Sequence, residues 1–241
     1  MEKLTEAQLE KYYCSTFLKE IGEEGQLKLL NSKVLVIGAG GLASSTLLYL
    51  ATSGIGKLGV VDNDVVSLSN LPRQILYAQG DVGKAKVDVA KKKLEYINPD
   101  TEVTTYKMWL DKENAEDIIK DYDIVLDCVD NFETKFLIND ICRKLNKPFI
   151  SAGVSDYKGQ IMTVTEKSKS DFKSLFSTLP VDIPQEEKDK DQGVFSIAVG
   201  IISNIQCAET LKYLLGIGDL LIDKMLIVDS LKMEFQKFEI K

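Results

Sequence analysis

The chain contains no histidine, one tryptophan, five prolines and four cysteines among its 241 residues. Without histidine there is no imidazole to serve as general base or metal ligand, so histidine-based catalysis is excluded. The cysteines, Cys14, Cys128, Cys142 and Cys207, lie far apart with no C-x-x-C pair, which argues against a protein-built zinc site and a disulfide scaffold. A basic excess is also missing. Thirty Lys+Arg stand against 37 Asp+Glu, a formal charge of −7, and phosphate contacts along a nucleic acid need a basic footprint. No apolar run reaches the roughly 18 residues of a membrane span. The opening MEKLTEAQLEKYY carries acids where a secretory signal needs a positive start and an apolar stretch, so the expected location is cytoplasmic. What is present, 44% hydrophobic and 28% charged residues, is the composition of a globular chain, and the length suits one large domain.

Thr5 with Gln8 fits a capping box, and Leu9, Tyr12, Tyr13, Phe17 and Leu18 recur at near-helical spacing, predicting two N-terminal helices over roughly 5–13 and 16–30. KVLVI at 33–37 is a short β-branched run ending in a glycine cluster, and 42–51 follows with helical composition. A second apolar run at 58–62 completes a βαβ unit. Val82, Ala85, Val89, Ala90, Leu94 and Ile97 share one face of a lysine-rich helix over 82–97, whose lysines Lys84, Lys91, Lys92 and Lys93 are expected in solvent. Strands are predicted at 102–107, 124–128, 148–152 and 161–165, with helices near 112–120 and 132–145 between the first three. This alternation implies an α/β fold with a doubly wound, mostly parallel sheet. The polar stretch 166–193 reads as a long mobile loop. A mostly apolar helix at 197–215 and strands at 224–229 and 231–239 form an antiparallel C-terminal extension.

Gly38, Gly40 and Gly41 lie in a turn that follows a strand and opens a helix, where backbone N–H groups and the helix dipole receive phosphate. G-x-G-G-x-A matches a dinucleotide fingerprint loosely, and Asp62 at the end of the second strand fits a ribose-binding acid. A dinucleotide and a nucleoside triphosphate both satisfy those features. The polar loop DNDVVSLSNLPRQ (62–74), with Asp64, Ser69, Asn70, Arg73 and Gln74, favours the triphosphate; it holds one of only two arginines in the chain. Lys86 and the pair Asp130–Asn131 are expected beside it, so three strand ends converge on one crevice. Two cations, Arg73 and Lys86, with helix-terminal amides and a carboxylate able to hold Mg²⁺, suit a triphosphate attacked at its α-phosphorus. Each has a plainer reading: Asp62 as a strand cap, Arg73 as a surface ion pair, Lys86 as one more solvated lysine, Asp130 as a helix cap. Cys128, Cys142 and Cys207 read as small core residues.

From about Tyr12 to Phe238 the chain resembles the MoeB/ThiF/HesA family, the prokaryotic relatives of ubiquitin-activating enzymes. The resemblance is carried by GAGGLAS (38–44), DNDVVSLSNLPRQ (62–74), DVGKAK (81–86), NP (98–99) and DCVDN (127–131). It implies a single Rossmann-like adenylation domain over 1–241, divided into N-terminal helices (1–32), a nucleotide-binding core (33–152), a crossover loop (166–193) and a C-terminal helix and strands (194–241). It further implies ATP and Mg²⁺ as cofactors, a ubiquitin-like sulfur-carrier protein as partner, activation of the carrier's C-terminal Gly-Gly carboxylate, and a homodimer. By position, Gly41 contacts the phosphates, Asp62 the ribose, Asn70 and Arg73 the triphosphate, Lys86 the α-phosphate, and Asp130, beside Asn131, the metal. The resemblance also implies that the carrier tail would thread under the crossover segment. Other peptide C-termini as substrate, and a non-catalytic nucleotide-binding partner subunit, are the alternatives.

Three departures stand out. Cys14 occupies the place of an arginine that in the family reaches the partner subunit's ATP, and Lys19 is the nearest substitute. Asp171 and Ser174 stand where relatives carry a first zinc-binding cysteine pair, so no zinc is expected. Residues 152–206 contain no cysteine, so no covalent carrier intermediate is expected either.

Overall fold

In a computed structural model, residues 3–175 and 193–240 are described. Their strands form one eight-stranded sheet in the order β3-β2-β1-β4-β5-β6-β7-β8, with β1 Lys33–Ile37, β2 Lys57–Val61, β3 Glu102–Tyr106, β4 Ile124–Asp127, β5 Phe149–Ser155, β6 Lys158–Val164, β7 Lys224–Asp229 and β8 Glu234–Glu239. The first five pair in parallel and the last three antiparallel. Strand order reverses between β1 and β4, and the carboxyl ends of those two strands frame the crevice where doubly wound sheets bind ligands.

Alternate residues of the buried strands feed two cores. One face of the sheet carries Val34, Val36, Leu58, Val60, Ile124 and Leu126. They pack under α4 (Gly41–Thr52), α5 (Lys86–Ile97) and α9 (Ser196–Leu215). The opposite face carries Leu35, Ile37, Val125, Phe149 and Met162 against α6 (Ala115–Ile119), α7 (Phe132–Lys144) and the short α8 (Phe172–Leu175). Covering both faces explains why β1, β2 and β4 read as continuous apolar runs rather than as alternating ones.

The N-terminus begins with α1 (Glu6–Lys11), closed by the expected reciprocal Thr5–Gln8 capping box. A short α2 (Tyr13–Thr16) follows, and of the second helix, expected over 16–30, only α3 (Gly22–Leu30) forms, beginning at Gly22 with φ +59°. The lysine-rich helix starts at Lys86, not at 82. Gly83 at φ +85° holds the preceding turn outside helical space, and Val82 and Ile97 are exposed rather than on the core face. The last strand likewise starts at Glu234, after a left-handed Met233.

Part of the 166–193 stretch is built into the fold. Phe172 is buried and its N–H donates to Asn139 Oδ1 at 3.0 Å. Asp223 accepts from the N–H groups of Lys169 and Ser170, each at 2.8 Å. An aromatic side chain seated among Phe132 and Phe136 orders this segment despite its polar neighbours. The remainder of the expected loop lies outside the described residues. Asp171 and Ser174 close a turn on each other, with Asp171 N–H to Ser174 Oγ and Ser174 N–H to Asp171 Oδ1 both at 2.9 Å.

Candidate active site

Gly38 lies between the ends of β1 and β4 at φ +91°. A Cβ there would sit 2.8 Å from the Cys128 carbonyl oxygen and 3.4 Å from Val129. Gly40 and Gly41 then open α4 with no side-chain cap, leaving the first N–H groups of the helix available to an anion. The SNLPRQ loop seats itself over this turn. A Cβ on Gly41 would meet the Arg73 carbonyl oxygen at 3.3 Å, and one on Gly40 the Gln74 Nε2 at 3.7 Å. At Gly41 the approach is tight, with Val199 also 3.1 Å from that Cβ position, whereas the contact at Gly40 is an ordinary one.

Asp62 is buried, and each of its carboxylate oxygens accepts one backbone N–H. Its Oδ2 accepts the Ala39 N–H at 2.6 Å and its Oδ1 accepts the Asp64 N–H at 2.7 Å, tying the end of β2 to the glycine turn. On the other side Tyr77 donates its hydroxyl to the Ala39 carbonyl at 2.8 Å. Burial, and secondarily the charge of Asp62, drives the Tyr77 hydroxyl far above the usual phenol range, so it remains a donor at any working pH. Tyr77 is not marked in the sequence beyond its place three residues after Gln74, just past the polar loop.

Lys86 departs most from the bland expectation. It is only 5% exposed, at the start of α5, and its Nζ lies 2.8 Å from Asp64 Oδ2. The Asp64 carbonyl also accepts the Lys86 N–H at 3.0 Å, and Val66 pairs with Lys84 and Gly83, so the loop after β2 is zipped to the start of α5. Lys93 is half-buried rather than solvated. It reaches the Leu76 carbonyl at 2.8 Å and Asp81 Oδ2 at 2.6 Å.

That second contact, together with the Ala78 N–H and Lys84, holds the Asp81 carboxyl down to about 2. A depressed carboxylate stabilises the fold above its unfolded value near 4 and loses that contribution as pH falls toward 2. Asp81→Asn is therefore expected to cost about 1–2 kcal/mol at pH 7. Urea midpoints of the two proteins should converge between about pH 4 and pH 2; a gap of constant size would remove the charge from the explanation.

Arg73 Nη1 lies 3.3 Å from the Ser69 carbonyl, and the guanidinium makes no other hydrogen bond or ion pair among the described residues. The Asn70 side chain makes no hydrogen bond among the described residues, and Ser69 lies on the exposed rim, 3.2 Å from Ser67. Gln74 is buried, and its Oε1 is the one buried side-chain polar atom without a hydrogen-bond partner among the described residues. An orphaned acceptor normally costs about 1–3 kcal/mol, and the side chain that carries it lies over the glycine turn, its Nε2 3.7 Å from where a Cβ on Gly40 would stand.

Asp130 follows Val129 and is exposed, with no hydrogen bond or ion pair among the described residues. Asn131, not Asp130, caps α7, accepting the Thr134 N–H at 2.9 Å. Among the described residues there is no cluster of three or more metal-ligating side chains. A single free carboxylate beside a phosphate cradle fits Mg²⁺, which commonly takes one or two carboxylates and completes its shell with substrate phosphates and water.

The structure thus brings Gly38, Gly40, Gly41, Asp62, Asp64, Arg73, Gln74, Lys86 and the turn bearing Asp130 and Asn131 to one end of the sheet. Cys14 lies elsewhere. Tyr12, two residues earlier, donates to Asp100 Oδ2 at 3.0 Å and accepts from Asn98 Nδ2 at 2.9 Å, and Asn98 also reaches the Ala51 carbonyl. This pins the N-terminal helices to the far end of α4, about 18 Å from the glycine turn at 1.5 Å per residue. Cys14 is exposed. Burial pushes the Cys207 thiol up to about 12 and raises Cys128 and Cys142 well above the ordinary range, so these three are not nucleophiles at neutral pH. No helix among the described residues is long and apolar enough to cross a membrane.

Among known proteins, the chain is 40% identical over 238 residues to a probable molybdopterin-synthase adenylyltransferase of Gracilaria tenuistipitata, covering 98% of this chain and 66% of that protein. It is 36% identical to the sulfur carrier protein adenylyltransferase of Thermus thermophilus, covering 98% and 89%. A probable molybdopterin-synthase adenylyltransferase of Porphyra purpurea is 38% identical, and there the chain spans 60% of the relative's length. Several curated relatives are therefore half as long again or more. The fold of Escherichia coli MccB, solved with MccA-N7isoASN, superimposes with a TM-score of 0.86 at 22% identity, over 96% of this chain and 72% of that one. Residues 13–241 match the ThiF family. A match that runs through the glycine turn, the loop above it and the turn after β4 makes this chain a member of the ThiF family.

Proposed function

We propose that the chain adenylates the C-terminal Gly-Gly carboxylate of a small ubiquitin-like sulfur-carrier protein, consuming Mg-ATP and releasing pyrophosphate, as a cytoplasmic homodimer without zinc. The observation that carries this reading is the Arg73–Gln74 segment seated over Gly40 and Gly41 at the opening of α4, with a guanidinium that makes one hydrogen bond and a buried Gln74 Oε1 that makes none among the described residues. That arrangement supplies what a triphosphate needs and leaves a polar atom waiting for a donor.

The chemistry follows from the residue types. A terminal carboxylate is already ionised at neutral pH, so no base is required, in keeping with a chain that has no histidine. Its oxygen attacks the α-phosphorus in line; the new O–P bond forms as the bond to the bridging oxygen of pyrophosphate breaks. Arg73, Asn70 and the α4 amides hold the triphosphate, Asp62 with the glycine turn positions the ribose, and Lys86, released in part from Asp64, offsets charge at the α-phosphate. Asp130 would hold Mg²⁺, which when bound would offset charge on the phosphates.

ATP–pyrophosphate isotope exchange with the purified chain, with and without a Gly-Gly-ended ubiquitin-like carrier from the same genome, tests the proposal. Exchange that depends on the carrier is expected. A second reading, a non-catalytic partner subunit, is favoured by Cys14 standing where the family has an arginine. Mg-ATP binding by a monomer, with no exchange for any carrier, would replace the first reading with the second.

A further inference from the structure

The most heavily buried ion pair among the described residues has no part in the chemistry above. Asp127, the last residue of β4, is 1% exposed, and Lys135, one turn into α7, is 7% exposed. Lys135 Nζ donates to Asp127 Oδ2 at 2.9 Å and to the Ala152 carbonyl of β5 at 2.7 Å. Ser151 Oγ donates to the same Oδ2 at 2.7 Å, and Asp127 Oδ1 accepts the Val129 N–H at 3.2 Å. From α9, Gln206 Nε2 reaches the backbone carbonyls of Asp127 at 3.2 Å and Ile150 at 3.0 Å.

These bonds converge on one short turn. Residues 128–131 leave β4 and enter α7; Asp127 grips the turn at its first half through Val129, and Lys135 fixes the helix whose cap is Asn131. Between the two grips stands Asp130, exposed and with no side-chain partner among the described residues. A buried ion pair is a poor source of net stability, because desolvation of two charges offsets their attraction, and an apolar pair of similar volume is often as stable. Its distinctive product is a fixed geometry. The pair is also internally neutral, so it leaves Asp130 as the negative group the turn offers the crevice.

We infer that Asp127 and Lys135 are positioning residues that set the place of the Asp130 carboxylate toward a metal-bound triphosphate. The inference rests on the proposed role of Asp130 as the Mg²⁺ ligand. Groups that orient a metal-ligating carboxylate typically change metal affinity by about 10–100-fold when lost.

The test reads Mg²⁺ dependence rather than turnover alone. ATP binding is measured by calorimetry across a Mg²⁺ series for wild type, Asp130→Asn, Lys135→Arg, and the double variant Asp127→Leu/Lys135→Met, which removes both charges together. The double variant is expected to fold and to need about tenfold more Mg²⁺ or higher for half-maximal ATP binding. Lys135→Arg, which keeps the pair, should need less than the double variant. In exchange assays the double variant should lose kcat while the KM for carrier stays unchanged. Ser151→Ala, a milder change that removes one bond to Asp127, should raise the Mg²⁺ requirement in the same direction, and it serves if the double variant fails to fold. Wild-type binding that needs both Mg²⁺ and Asp130, with an unchanged requirement in the double variant or in Ser151→Ala, would overturn the positioning role alone. Wild-type binding that needs neither would overturn the metal reading and this inference with it.

Discussion

Asp130→Asn is expected to abolish carrier-dependent pyrophosphate exchange, by about a thousandfold or more, while leaving the melting temperature within about a degree of wild type. Both halves come from the same observation. The Asp130 carboxylate is exposed and bonded to nothing among the described residues, and substitutions at such surface positions usually stay within about 0.5 kcal/mol. The helix that follows keeps its cap, because Asn131 supplies it. Loss of the metal's charge stabilisation, in contrast, removes several kcal/mol from the transition state, and each 1.4 kcal/mol or so is tenfold in rate. Thermal melting of the two proteins beside the exchange assay separates these effects. An active, well-folded Asp130→Asn would strike this carboxylate from the site and leave the cradle without a metal ligand.

The sheet was legible because its signals are local. KVLVI, which runs into Gly38, and LGVVD, which follows Gly56-Lys57, are short apolar runs with a glycine close to one end, and the Thr5–Gln8 box names its helix start outright. Positions that depend on backbone sign were less legible. Nothing in VGKAKVDV marks Gly83 as left-handed, so the helix appeared four residues too long. Lys93 was hidden among other lysines and Lys86 stood out only through the DVGKAK motif, and only the chain's path decides that Lys86 is buried against Asp64 while Lys93 reaches Asp81.

The buried polar partners were the hardest to read, since they join residues far apart in sequence. Gln206 meets Asp127 across 79 positions and Glu209 meets Thr163 across 46. In a mostly apolar helix such residues look like interruptions. In the fold they occupy the seam where α9 crosses the sheet, and there an unpaired backbone carbonyl or N–H would cost more than the polar side chain that satisfies it. Lys135 did carry a usable signal: it falls on the stripe of Ile138 and Cys142, three and seven residues on, which is the buried face of α7.

Gly38→Ala is expected to damage fold and site together. The residue sits at φ +91°, where L side chains are strained whatever the space, and the added Cβ would stand 2.8 Å from the Cys128 carbonyl oxygen. Backbone strain of this kind costs about 1–3 kcal/mol. The clash adds to it, because the carbonyl belongs to the end of β4, which the Asp127 and Gln206 bonds hold in place. A total near 2–4 kcal/mol corresponds to a fall of about 5–15 °C in melting temperature for a chain of this size. Relief is available only by parting β1 from the turn that carries Asp130, so thermal protection by Mg-ATP should also fall. Gly80→Ala is the matched control: it has no positive φ, a Cβ there meets nothing within 4 Å, and both readouts should stay near wild type. If Gly38→Ala melts and binds as wild type does, the turn has room for a side chain. The close approach of β1 to β4 would then not be what shapes the phosphate cradle.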